Sequence, residues 1–185
     1  MAKNWTFENI PDLQGKTIIV TGGNSGLGYE SVKAFALKGA TVVLACRNLA
    51  KGEKAKNEIL KANPSGEIQV MQLDLANLTS VEAFAEKFAS EHKQLDVLLN
   101  NAGIMATPNI KTDDGFEAQL GTNHLGHFAL TGHLLPMLKG TPQSREVNVS
   151  SLAHKGGKMD FNDLMFEKCR KFKPMRAYGQ SKLAN

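Results

Sequence analysis

The stretch Thr17-Ile18-Ile19-Val20-Thr21-Gly22-Gly23-Asn24-Ser25-Gly26-Leu27-Gly28 decides how this chain is read. Its first half is a β-branched apolar run, which suits a buried strand because branched side chains pack well on a pleated surface. The run stops abruptly at a glycine-rich loop, and a helical pattern follows. Glycines serve where a backbone must turn tightly or approach a ligand with no Cβ in the way. A helix N-terminus offers free N–H groups and a partial positive charge. Strand, loop and helix start together read as a cradle for a pyrophosphate. The spacing Gly22-x-x-x-Gly26-x-Gly28 differs from G-x-G-x-x-G and from the phosphate loop ending in Gly-Lys-Ser/Thr. Taken alone, the loop also reads as a plain strand-to-helix turn.

Outward from this stretch the pattern alternates. The strand 17–21 is followed by a helix from Gly26 to about Lys38, ended by Gly39. The next strand is Thr41–Ala45, then a helix near Lys51–Ala62 ended by Asn63-Pro64. Strand Ile68–Leu73 leads to a helix from Ser80 to about Ser90, capped by Thr79 or Ser80. Strand Leu95–Leu99 runs into Asn100-Asn101-Ala102-Gly103. A long helix is expected from Asp114 to Leu138, with Pro136 kinking it or ending it early. Strand Val147–Ser150 follows, and a last helix begins near Arg176 and runs on to Asn185. Before all of this, residues 1–15 read as an irregular lead-in, with Trp5, Phe7 and Ile10 packing on the body. Strand–helix alternation gives the fold class: α/β, a doubly wound parallel sheet with helices on both faces, in one domain spanning 1–185.

The totals agree with a globular chain. Its 185 residues suit one domain that buries roughly 70% of its unfolded surface. The apolar fraction of 42% and charged fraction of 22% are ordinary. A net charge of +4 with no dense basic run argues against nucleic acid and fits an anionic small molecule. Cys46 and Cys169 form no metal pattern and read as free thiols in a reducing compartment. With no signal-peptide core and no stretch of about 20 apolar residues, the expectation is a cytoplasmic protein without a transmembrane span.

Several side chains carry chemistry. Arg47 follows the second strand, where a doubly wound fold faces the adenosine ribose; a guanidinium there suits a 2′-phosphate, with Asn48 and Lys51 nearby. The alternative is a solvated surface arginine. Asp74 closes the third strand, either to meet an adenine amino group or as a turn residue. Asn101 lies on the same carboxyl edge. Phe116, Leu120, Asn123, His127, Leu130 and Leu134 recur at alternating steps of four and three, one face of a helix. Asn123 is therefore inward, either as a structural amide or as a polar group at a site. Tyr178 and Lys182, four apart, share a helix face; taken alone, the pair reads as two surface helix residues. A nearby ammonium lowers the pKa of a phenol, which ordinarily titrates near ~10. His124 and His127 share a helix but lack a third ligand, so no metal site is expected.

Together these pieces resemble the short-chain dehydrogenase/reductase family. The resemblance rests on Thr21-Gly22-x-x-x-Gly26-x-Gly28, Asn100-Asn101-Ala102-Gly103, Asn123, a serine closing the fifth strand and Tyr178-x-x-x-Lys182, in that order. It spans essentially the whole chain and implies a Rossmann-type fold with NADP as cofactor. In that light Gly22, Ser25, Gly26, Leu27 and Gly28 line the pyrophosphate, and Arg47 selects NADP(H). Asp74 and Leu75 border the adenine, and Asn101 lies along the cofactor. Ser151, rather than Ser150, orients the substrate oxygen. Tyr178 is the acid–base, Lys182 binds the nicotinamide ribose and lowers the tyrosine pKa, and Asn123 holds a water or backbone group in a proton relay. Within the family, Ala45-Cys46-Arg47-Asn48, Asn123-His124-Leu125-Gly126-His127-Phe128 and Asn148-Val149-Ser150-Ser151-Leu152-Ala153-His154 are most similar to the retinol dehydrogenase-like group. Members of that group often carry a membrane anchor, which this N-terminus is read as lacking.

The chain departs from the family in two places. Ser151 and Tyr178 are 27 positions apart, about double the common gap. The added segment, with Met159, Phe161, Leu164, Met165, Phe166, Phe172 and Met175, either leans over an apolar substrate or is a packed surface excursion. The chain also stops three residues after Lys182, so the last strands and the substrate loop of the family fold are missing. The expected function is hydride transfer between NADP(H) and an alcohol or carbonyl substrate, retinoid-like or another apolar aldehyde or ketone. The alternative is a non-catalytic nucleotide-binding or interaction module. A sheet edge bared by missing strands invites pairing with another chain, and a homo-oligomer is compatible with that.

Overall fold

A computed structural model describes residues 5–168 and 170–185; Cys169 lies outside them. Five parallel strands form one sheet in the order β3-β2-β1-β4-β5. They are β1 (Thr17–Thr21), β2 (Thr41–Cys46), β3 (Glu67–Gln72), β4 (Val97–Asn100) and β5 (Arg145–Asn148). Ile18 pairs in register with both Val42 and Val97, so β1 is central. The order turns around between β1 and β4, because the chain crosses from β3 on one side to β4 on the other.

All five residues of β1 are buried, as the unbroken β-branched run predicts. Alternation then sends its side chains to two cores. Ile18 and Val20 join Val42 and Leu44 beneath helices α1 (Gly26–Leu37) and α2 (Leu49–Leu60), with Val32, Ala36 and Ile59. Ile19 and Val43 face α3 (Leu78–Glu91) and α5 (Gly126–Gly140), with Val81, Phe84, Phe88, Leu130 and Leu134. Two apolar cores on opposite faces give the doubly wound, Rossmann-type arrangement. A sixth helix, α6 (Pro174–Ala184), carries Tyr178 and Lys182.

Several local expectations are corrected. Trp5 is 74% exposed and Phe7 is 42% exposed, so neither packs into the body; the Lys38 ammonium lies 4.7 Å from the Phe7 ring instead. Helix α3 starts two residues early because Asn77, not Thr79 or Ser80, caps it by accepting from Ser80 N. Strand β4 begins two residues later than expected, and β5 sits two residues earlier.

The long helix begins at Ala118, four residues later than expected. The buried Glu117 carboxylate caps its start, accepting from Gln119 N and Leu120 N at 3.0 and 2.8 Å. Helix α4 (Ala118–Leu120) passes through a π turn at Gly121–Leu125 into α5. Pro136 lies inside α5 and does not end it. The inward stripe survives the π turn: Leu120, Asn123, His127, Leu130 and Leu134 are all buried.

The added segment packs on α6 as a surface excursion. Gln180 Nε2 donates to Leu164 O at 2.9 Å, Phe166 meets Phe172 edge-on, and Arg176 lies over the Phe166 ring. None of its seven apolar residues named above lines the cleft described next.

Candidate active site

A cleft of about 500 Å³ opens at the carboxyl ends of the strands, where the strand order turns around. This is where open α/β sheets bind ligands, because the loops diverge there. The glycine loop forms its floor. Gly22 has φ +68 and packs against Ala102, with 3.0 Å between its absent Cβ and Ala102 Cα. A Cβ on Gly28 would collide with the Gly22 carbonyl and the Asn101 amide. Gly28 therefore shapes the loop from behind, whereas Gly26 is exposed with open space around it; neither lines the cleft, and Gly22, Ser25 and Leu27 do. Gly26 opens α1 at φ +56.

Arg47 leaves the end of β2, lines the cleft, is exposed and has no ion pair among the described residues. Asn48 caps α2 by accepting from Lys51 N, so it is committed to the helix. Asp74 has two attachments at once. It lines the cleft beside Leu75, and its carboxylate accepts from Ala76 N at 3.0 Å as a turn residue. The two asparagines after β4 diverge. Asn100 turns into the fold, donating to Asn148 Oδ1, while Asn101 lines the cleft and donates to Thr21 O at 2.9 Å.

The opposite wall holds Ser151, Tyr178 and Lys182. Both serines line the cleft, but they are engaged differently. The Ser150 hydroxyl donates to Lys182 O at 2.8 Å, whereas Ser151 Oγ accepts from Ala153 N at 3.2 Å and keeps its proton. Lys182 is 5% exposed, and its ammonium donates to Val149 O at 2.7 Å. Burial pulls its pKa below the ordinary lysine value.

Asn123 does not line the cleft. It stands behind the loop that follows Asn101, accepting from Ile104 N and donating to Ile104 O and to Ser181 Oγ, at 2.8 to 2.9 Å. Its amide is a structural clamp on the cleft wall. Sequence reasoning passed over Thr21, which is fully buried and accepts from both Asn101 N and Ala102 N. It also left His127 without a role, although that ring hydrogen-bonds both Thr21 Oγ1 and Asn123 O, at 2.8 and 2.9 Å.

The family model of the short chain dehydrogenases matches residues 16–162. The chain belongs to the short-chain dehydrogenase family. It is 49% identical to human retinol dehydrogenase 12 over 173 residues, covering 94% of this chain and 54% of that protein. Human retinol dehydrogenase 13 is 46% identical over 172 residues, with 93% and 52% covered. The chain thus spans about half the length of these curated relatives. Among solved structures, an uncharacterised protein from Mycobacterium paratuberculosis matches with TM-score 0.85 at 46% identity, over 97% of this chain and 62% of that one. A short chain dehydrogenase from Escherichia coli CFT073, solved with NADPH, matches with TM-score 0.74 at 27% identity, over 94% and 68%. No described helix is long and apolar enough to cross a membrane.

Proposed function

We propose that this short-chain dehydrogenase chain binds NADP(H) in its cleft and takes part in hydride transfer to or from an alcohol or carbonyl substrate. The observation that carries the reading is one cleft with the glycine floor and Arg47 on one side and Ser151, Tyr178 and Lys182 on the other. The residues suit a dinucleotide. The floor is kept bare at Gly22, where a side chain would strike Ala102, and Arg47 is free to pair with a phosphate. A nicotinamide dinucleotide, when bound, supplies the hydride chemistry. Gly22 and Ser25 would hold the pyrophosphate, Arg47 the 2′-phosphate, Asp74 and Leu75 the adenine side, and Asn101 with Lys182 the nicotinamide side. The matching structure solved with NADPH supports NADP over NAD.

The protein's own share is proton management and orientation. Ser151 donates its uncommitted hydroxyl proton to the substrate oxygen. Tyr178 gives that oxygen a proton during reduction, or takes it during oxidation. Lys182, a cation one helical turn away, shares that wall of the cleft and would hold the nicotinamide side of the dinucleotide. Because its own pKa is depressed by burial, Lys182 loses its charge earlier on the alkaline side than an exposed lysine would. An apolar substrate fits the cleft mouth, where Met105 is 61% exposed.

The test is turnover of NADPH with a panel of apolar aldehydes by the wild type and by Tyr178→Phe. The reading expects turnover that falls by about 10²- to 10⁴-fold in the variant while nucleotide still binds. Binding with no turnover in the wild type would instead support a nucleotide-binding module.

A further inference from the structure

We infer that His127 is a positioning residue: it locks the loop that runs from Asn101 to Ile104 and joins that loop to the helix carrying Tyr178. The inference rests on the reading of the cleft as a nucleotide site, and it begins with which atoms can donate. Asn123 O is a carbonyl and only accepts, so the His127 nitrogen 2.9 Å away, Nδ1, must carry the proton. The ring is neutral inside the fold, where burial pulls its pKa to about 4, so Nε2 is bare. Nε2 must then accept from the Thr21 hydroxyl at 2.8 Å. That commits the only proton of Thr21 and leaves its lone pairs to receive Asn101 N at 2.9 Å and Ala102 N at 3.0 Å.

The other end is equally determined. Asn123 Nδ2 donates to Ser181 Oγ at 2.9 Å, and Ser181 Oγ donates to Tyr178 O at 2.8 Å. The Thr21 hydroxyl also lies 3.4 Å from Leu99 O, a much longer approach than the 2.8 Å to His127 Nε2, so the ring is its closer acceptor. Thr21, Asn123, His127 and Ser181 are each 3% exposed or less, so water does not substitute for a lost member. Asn123 also grips Ile104 through N and O, so the loop is held at both ends, by Thr21 and by Asn123, with His127 between them.

The arrangement uses the π turn at Gly121–Leu125, where Gly126 N reaches back five residues to Gly121 O. Such turns recur at functional sites. His127 follows this turn and faces the sheet rather than the cleft, so it holds the site without lining it.

The test combines two measurements on the 185-residue chain. The first is the 15N chemical shifts of the His127 ring between pH 8 and pH 5. Expected is one protonated nitrogen, Nδ1, and no titration; a proton on Nε2, or titration near the ordinary histidine value, overturns the inference. The second is amide exchange at Asn101, Ala102 and Ile104 together with NADPH affinity. His127→Leu should speed exchange at all three amides and weaken NADPH by about tenfold. His127→Gln, whose amide oxygen restores an acceptor for Thr21, should recover most of both. A folded His127→Leu with unchanged exchange and affinity overturns the inference. If His127→Leu does not fold, the wild-type ring and the His127→Gln exchange still decide. A wild type that shows the expected ring and exchange but binds neither NADPH nor NADH would refute the nucleotide reading, not the clamp.

Discussion

Ser150 and Ser151 are neighbours with one atom's difference in duty, and the structure separates them. Ser150 spends its proton on Lys182 O, whereas Ser151 accepts a backbone N–H and keeps its proton for the cleft. Ser151→Ala is therefore expected to cut NADPH-dependent turnover by roughly 10²-fold, the worth of a lost oxygen-orienting donor. Ser150→Ala should cost much less; steady-state kinetics on the two variants would refute the assignment if their order were reversed. Gly28→Ala belongs to the same scale. Its new methyl meets the Gly22 carbonyl and the Asn101 amide, both held in place, so it should destabilise the fold by about 1–3 kcal/mol in denaturant unfolding. Glycine spacing is legible in a sequence because it reports a local backbone need. The use of Thr21 and His127 was not, because they lie 106 positions apart and meet only through the fold.

Elements were legible where a local pattern has one reading. Strand β1 was placed to the residue, since a β-branched run ending in glycine has no competing period. Helix α3 was misjudged at its cap, because Asn77, Thr79 and Ser80 are all good caps and composition does not rank them. The structure ranks them through the Asn77 bond to Ser80 N. Asn77→Ala should lower stability by about 1 kcal/mol, whereas Thr79→Ala, an exposed change, should stay within about 0.5 kcal/mol in the same unfolding experiment. Equal losses would put the cap elsewhere. The π turn left no mark on the four-and-three spacing of the long helix, so its stripe was readable and its widening was not. The excursion after Ser151 is held by Gln180 and Arg176, which meet Leu164 and Phe166 only once α6 has packed against the segment, so no local pattern distinguished packing on α6 from leaning over substrate.

For the molecule as a whole, two cores on opposite faces set the stability, and the cleft opens at their carboxyl-end edge, where Ala45, Leu73 and Leu75 of one core and Cys46 of the other reach its lining. Acid should undo this through His127. Its folded pKa of about 4 lies below the ordinary 6.5, so the unfolded chain takes up the proton first. Stability is then full above pH 6.5 and falls as pH drops toward 4, by on the order of 3 kcal/mol from this group. His127→Gln does not titrate, so the wild type should lose ground to it across that window; a pH-independent difference would contradict the buried neutral ring. Strand β5 is exposed along its length at the sheet edge. The central claim concerns the cleft, and equilibrium titration of the 185-residue chain with NADPH and NADH, for wild type and Arg47→Leu, tests it most directly. The account predicts tighter binding of NADPH than NADH by the wild type, and a loss of about 10- to 100-fold in NADPH affinity, but not in NADH affinity, on replacing Arg47. Equal or tighter binding of NADH by the wild type, or no binding of either, would contradict it.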